Sequence, residues 1–279
     1  MSGKALYPWE PYDPTSYDLV YLSLGAGVQS STLLALSALG LHGVPKVDAA
    51  IFADTQDEPK WVYEHLWQLA EWAEPLGVRI EIVTAGQLSD CNPKYIRIPA
   101  FTNTDGHAGI IRRQCTREYK IAPINTRVRQ MLGLKKGERH KGRIGLSLHG
   151  ISYDEMQRMK DSQDKFIEIE YPLIRIGWTR HHCLEWWAAN MPIPIPRKSA
   201  CVYCPFRSNS EWLDIKNNDP DGWNFAVEYD VRIRNSTKSG TKQPVYLHRQ
   251  LKPLDQVDLT ENERTGNLFL NECEGMCGV

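Results

Sequence analysis

Two short segments of this 279-residue chain combine residue types and spacings that could carry chemistry. The first is Ser23-Leu24-Gly25-Ala26-Gly27-Val28-Gln29-Ser30-Ser31. Glycines let backbone amides approach an anion closely and adopt φ > 0. A helix starting directly after them presents unpaired N–H groups and the positive end of its dipole. Ser30 and Ser31 add hydroxyl donors, so the combination suits phosphate. An ordinary serine-capped strand–turn–helix has the same local look. The second segment is Cys201-Val202-Tyr203-Cys204. Two thiols on one turn give the bite that zinc or an iron–sulfur cluster needs, and equally that of a redox pair.

The elements around these segments alternate. Residues 18–24 read as a buried strand, and residues after Gly27 through Leu39 are apolar and helix-prone. Residues 46–53 form a second predicted strand. Residues 58–74 have helical spacing, with Trp61, Leu66, Leu69 and Ala73 on one side, and residues 78–84 form a third strand. This β-α-β-α-β order predicts an α/β fold with a parallel sheet and helices on both faces. Ligands of such sheets bind at the carboxyl ends of strands. Asp54, ending the second strand, is therefore placed to accept hydrogen bonds from ribose or adenine, and a helix-capping role fits Asp57 better.

Farther along, residues 88–111 read as a long loop, residues 116–132 as a helix bending near Pro123, and residues 143–149 and 167–171 as strands. Residues 179–190 read as a helix rich in Trp and His. A run of alternating Pro and apolar residues at 191–196 marks a boundary, giving units of 1–190 and 191–279. The second unit is a small, α-rich, cysteine-bearing segment with predicted helices at 208–217 and 223–234. Trp61, Trp67, Trp72, Trp186 and Trp187 are expected in the core. His181, His182 and Cys183 are consecutive, so on a helix they point in different directions and make a poor metal site. Cys91 and Cys183 read as structural or incidental.

Composition narrows the class. Hydrophobic residues make up 42% of the chain, enough for a full core, and the net charge of −1 argues against a protein that coats nucleic acid by bulk charge. Eleven Lys or Arg stand against Glu118 and Glu138 between residues 112 and 143, and the portion at 135–143 reads as a solvated loop. No apolar run approaches the roughly 20 residues that span a bilayer. Residues 1–18 lack the apolar stretch of a signal peptide. A cytoplasmic protein without membrane attachment is expected, and its seven cysteines read better as ligands or redox groups than as staples.

The segments, taken in order, resemble the adenine nucleotide α-hydrolase superfamily, the PP-loop ATP pyrophosphatases, and within it the phosphoadenosine phosphosulfate (PAPS) reductase branch. Residues 25–31 resemble that family's Ser-Gly-Gly-x-Asp-Ser-Ser/Thr loop, with Gly25 for the first Ser and Gln29 for the Asp. Residues 115–123 are similar to its Cys-Cys-x-x-x-Lys-x-x-Pro segment, with Gln114 where the first Cys would stand. Residues 150–158 resemble Gly-x-Arg-x-x-Glu-Ser-x-Arg, with Ser152 for Arg and Gln157 for Ser. Tyr171-Pro172-Leu173, followed by Trp178, resembles its Pro-Leu-x-x-Trp turn.

The resemblance implies a Rossmann-like sheet of the PP-loop type. It implies nucleotide contacts from Ser23, Gly25, Ala26, Gly27, Gln29, Ser30, Ser31, Asp54, Arg113, Arg117 and Gly150. It implies catalytic roles for Lys120, Glu155 and Arg158, and for Cys273 as a thiol on a mobile tail. Cys115, Cys201 and Cys204 match ligands of a 4Fe-4S cluster, with Cys277 of the tail completing the set; a zinc ion on Cys201, Cys204, Cys273 and Cys277 is the alternative. The activity implied is adenylation of an acceptor by Mg²⁺-ATP, releasing pyrophosphate, for sulfur or nitrogen transfer. The acceptor would be a nucleic-acid base or a small metabolite, and a sulfur donor would be a partner. The alternatives are a reductase of PAPS or adenylylsulfate that uses a thioredoxin-like reductant, and a non-catalytic nucleotide-binding module.

Overall fold

The computed structural model describes residues 13–90, 96–104, 106–111, 114–235 and 243–260. Its centre is a five-stranded parallel sheet in the order β3-β2-β1-β6-β7, built from β1 (Leu19–Leu24), β2 (Ala49–Asp54), β3 (Arg79–Thr84), β6 (Gly145–His149) and β7 (Ile167–Glu170). β1 is buried along its whole length, which is why it reads as a continuous apolar run rather than an alternation. Chain order reverses between β1 and β6, so the carboxyl ends of these two neighbours open a crevice at the switch point.

The two faces are covered by different helices. Leu22, Leu24, Ala50 and Phe52 share a core with α1 (Val28–Leu39) and α2 (Lys60–Ala73). Leu19, Tyr21, Ile51 and Ala53 point the other way, onto Ile124 and Val128 of α3 (Ala122–Met131). A π-helical turn, Thr116–Ile121, runs directly into α3. Residues 88–111, expected as a loop, contain a hairpin of β4 (Phe101–Thr104) and β5 (His107–Ile110). Its turn uses Gly106 at φ +86°, whose N–H donates to Asn103 Oδ1. The strands lack apolar alternation, so no period of two marks them. β4 also pairs with β8 (Val245–Tyr246).

After β7, α4 (Pro172–Arg175) and α5 (Arg180–Asn190) lead to α6 (Asn209–Asn218) and α7 (Pro220–Ile233). Val202, Tyr203, Trp212, Ile215, Ala226 and Tyr229 join the same apolar core as α1 and α2. Trp187 is fully buried, whereas Trp67 is 59% exposed and corrects its assignment to the core. Trp67 follows the inward-facing Leu66 by one position, which turns it about 100° away from the sheet. Among the described residues no helix is long and apolar enough to cross a membrane.

Candidate functional site

The turn from β1 to α1 lies at the reversal in strand order. Ala26, not a glycine, supplies its left-handed residue (φ +56°), and Gly27 is extended (φ −94°, ψ 179°) at the N-cap of α1. Gly27 has no side chain with which to cap the helix, so the first-turn amides of α1 are left to other partners. Ser30 closes the turn on itself, accepting from Gly25 N–H at 3.2 Å and donating to the Gly27 carbonyl at 3.3 Å. Ser31 Oγ faces α2 and lies 2.9 Å from His65 Nε2, with both groups buried. The two hydroxyls expected on phosphate are thus engaged within the protein. The backbone amides carry the anion-binding capacity of the turn.

Gly150, directly after β6, packs against this turn. A Cβ there would stand 2.6 Å from Ser30 Cα, 2.7 Å from Ser30 N and 3.0 Å from the Gln29 carbonyl carbon. Only a glycine lets the end of β6 approach the first turn of α1 so closely. Gln29 Nε2 donates to Glu155 Oε2 at 3.2 Å, and Glu155 forms an ion pair with Arg158. Gln29 and Glu155 are both buried. The residue that departs from the Asp of the PP-loop pattern is therefore held by the Glu of another matched segment. Nothing in the sequence marks that contact, which spans 126 positions. Ser23 Oγ and Ser152 Oγ, near the ends of β1 and β6, are buried with no hydrogen-bond partner among the described residues.

A second group of residues sits at the end of β2. Asp54 Oδ1 accepts from Gln56 N–H at 2.7 Å and from Tyr63 OH at 2.9 Å. Cys201 Sγ lies 3.2 Å from Thr55 Oγ1 and 3.9 Å from Glu58 Oε1, and Lys120 Nζ lies 3.7 Å from the same Glu58 oxygen. All four residues are buried. Burial, followed by the Glu58 carboxylate, pushes the Cys201 thiol well above the usual range, while Lys120 pulls it down. Cys115, Cys201, Cys204 and Lys120 line one small, apolar-walled cavity of about 20 Å³. Cys115 thus lines the same cavity as the Cys201–Cys204 pair, which lies 86 positions later in sequence. Among the described residues, however, no group of three or more His, Cys, Asp or Glu side chains is placed to hold a metal ion. Cys273, Cys277 and Arg113 lie outside the described residues.

Asp57 is not a cap. The N-cap of α2 is Pro59, and Asp57 instead accepts from Ser89 N–H (2.8 Å), Ser89 Oγ (2.9 Å), Gln87 Nε2 (2.9 Å) and Tyr203 OH. Its own carbonyl accepts from Val202 N–H at 2.8 Å. This carboxylate fastens the cysteine turn to the rim of β2. Sequence reading missed it because its partners are all nonlocal. Arg207 holds the same turn from behind, donating to the carbonyls of Ala200 and Cys201. His182 is spent locally, its Nδ1 completing a capping box with Thr179, and Cys183 is buried.

Two cations of the matched segments, Arg117 and Arg158, line a larger cavity of about 260 Å³ over β7. The basic stretch at 135–143 leads into the start of β6, at the opposite end of the sheet from the crevice.

No family model matches the sequence, and no curated protein matches it. Among solved structures it is similar to phosphoadenylyl-sulfate (PAPS) reductase from Candida auris, in its phosphate complex. The identity is 14% and the TM-score 0.39, over 64% of this chain and 76% of that one.

The buried histidines give the site a pH signature. Burial pushes His65, His149 and His248 each down to about 4, with Arg249 adding to the effect at His248. In the unfolded chain each titrates near roughly 6.5. Between these values the unfolded state takes up protons that the folded state refuses. The contribution of these three histidines to stability is therefore complete above about pH 6.5 and is lost as pH falls toward about 4. The urea midpoint should drop steadily from about pH 7 to about pH 5. A flat midpoint over that range would show that these rings are not shielded.

Proposed function

We propose that this protein is an enzyme that binds an adenine nucleotide in the crevice between the ends of β1 and β6. In this reading it adenylates an acceptor for sulfur or nitrogen transfer. The observation that carries the reading is the backbone contact of Gly150 with Ser30 and Gln29, which brings the first turn of α1 to the switch point of a parallel sheet. The buried hydroxyls of Ser23 and Ser152, near the ends of β1 and β6, would offer further donors to a ligand there. The first-turn amides would hold the phosphates, and Arg158 and Lys120 would balance the charge that builds on them. An acceptor oxygen would attack the α-phosphorus with pyrophosphate leaving, and a sulfur or nitrogen nucleophile would then displace AMP. The first turn of α1 holds no acidic residue. Magnesium bound with the nucleotide would supply positive charge to offset that of the leaving pyrophosphate.

That same lack of an acidic residue favours a second reading, reduction of a sulfated adenylate. There the Cys273 thiolate would attack sulfur, and a thioredoxin-like dithiol would release sulfite. Cys115, Cys201 and Cys204, with Cys277, would be thiolate ligands of a cluster; a zinc ion would instead use Cys201, Cys204, Cys273 and Cys277.

Turnover separates the readings: the first expects pyrophosphate from Mg²⁺-ATP, the second sulfite from PAPS or adenylylsulfate. If folded protein gives no calorimetric heat with ATP, AMP or sulfated adenylates, both fail. Cys201→Ala combined with Cys204→Ala should strip bound iron or zinc, and unchanged metal content would remove the thiolate assignment.

A further inference from the structure

The cavity over β7 lies beside the crevice, with His149 next to Gly150 and Arg158 paired with the Glu155 that holds Gln29, and it shares no lining residue with the cysteine cavity. Its floor is Ile167 and Ile169, and α3 forms one wall through Ala122 and Asn125. Residues 158–164 cover it. That cover is tied down: Tyr171 OH donates to the Lys160 carbonyl at 2.7 Å and accepts from Lys160 N–H at 2.9 Å. Asn125 Nδ2 donates to Asp164 Oδ2 at 2.6 Å. A pre-formed, partly apolar cavity of this kind is the usual form of a small-molecule site.

Arg117 gives it a cation for an anion to meet, while Arg158 is already paired with Glu155. Arg117, Arg158 and Lys160 come from three different segments, the π-helical turn, the 3₁₀ stretch at 153–158 and the covering loop, and all line it. The lining also holds two acids, Asp161 and Asp164, of which Asp164 accepts from Asn125. Among the described residues Arg117 makes no salt bridge. Guanidinium groups suit carboxylate and phosphate because they donate in a planar fork. The apolar floor requires a ligand with a body as well as a charge.

We infer that this cavity binds the second substrate, a small anionic molecule with an apolar body and a carboxylate or phosphate head, rather than a polynucleotide. The inference rests on the nucleotide reading for the word "second", not for the binding itself. A polynucleotide would need a cationic track leading to the cavity. The basic run at 135–143 lies at the far end of the sheet, and part of its charge is spent internally: Lys141 pairs with Glu138, and Arg143 donates to the Leu132 carbonyl.

The test uses the full chain and four probes followed by fluorine NMR and calorimetry: 4-fluorophenyl phosphate, 4-fluorobenzoate, neutral 4-fluorobenzyl alcohol, and a single-stranded deoxythymidine oligonucleotide. At least one aryl anion should bind and the alcohol should not, and the tighter of the two anions identifies the head group. Arg117→Ala, at an exposed position, should weaken the anion by about tenfold or more, a loss of about 1.4 kcal/mol. Ala122→Trp, at an exposed position on the cavity wall, should block the probes while leaving the heat of ATP binding unchanged. Equal binding of the alcohol, indifference to both substitutions, or displacement of the probes by the oligonucleotide would overturn the proposal. Loss of ATP binding with the probe results as expected would remove the nucleotide reading and leave the cavity assignment standing. Intact ATP binding with silent probes would do the reverse.

Discussion

Gly150→Ala should cut nucleotide affinity by at least about a hundredfold, close to 2.7 kcal/mol. The single added methyl group would sit 2.6 Å from Ser30 Cα and 2.7 Å from Ser30 N. Both are backbone atoms at the start of α1, so no flexible side chain can swing aside. Either β6 or the first turn of α1 must move, and with it the amides that face the crevice. The same overpacking should cost about 1–3 kcal/mol of stability. Calorimetry with Mg²⁺-ATP and a urea titration measure the two effects separately. Full affinity in a stably folded variant would show that the ligand does not depend on this contact.

Asp57→Ala should be strongly destabilising, at about 3–5 kcal/mol. The carboxylate is buried and takes donors from Ser89, Gln87 and Tyr203, so its loss strands several buried groups at once. Urea unfolding reads the loss. Asp57→Asn keeps the shape but offers its donors to other donors, so it should fall between wild type and alanine. A cost below about 1 kcal/mol for the alanine variant would mean water replaces the carboxylate easily, against the buried position described here.

Much of the sheet was legible because its strands are short, apolar and separated by helices of clear period. Residues 18–24 and 78–84 fell within a residue of the observed strands. The crevice was legible through one local rule, glycines between a strand and a helix, although the left-handed residue proved to be Ala26. The hairpin at 101–110 was not, because neither four-residue strand alternates apolar with polar residues and both are largely exposed. The roles of Gln29 and Asp57 were hidden for a different reason. Each is defined by partners in distant segments, and no spacing rule reports a contact of that length. Trp67 shows the converse error: residue type suggested burial, but its position on α2 decided otherwise.

The hydrogen bond from Tyr203 to Asp57 closes a loop of 146 residues, which bears on how the molecule is made. During synthesis β1, β2 and β3 can pair long before Tyr203 leaves the ribosome, since domains assemble from the amino end. The rim of β2 then waits for a late arrival, a step slowed by its sequence separation. When Cys201 does arrive, Glu58 and Lys120 have long since emerged, and the thiol enters a compartment whose polar walls were made first.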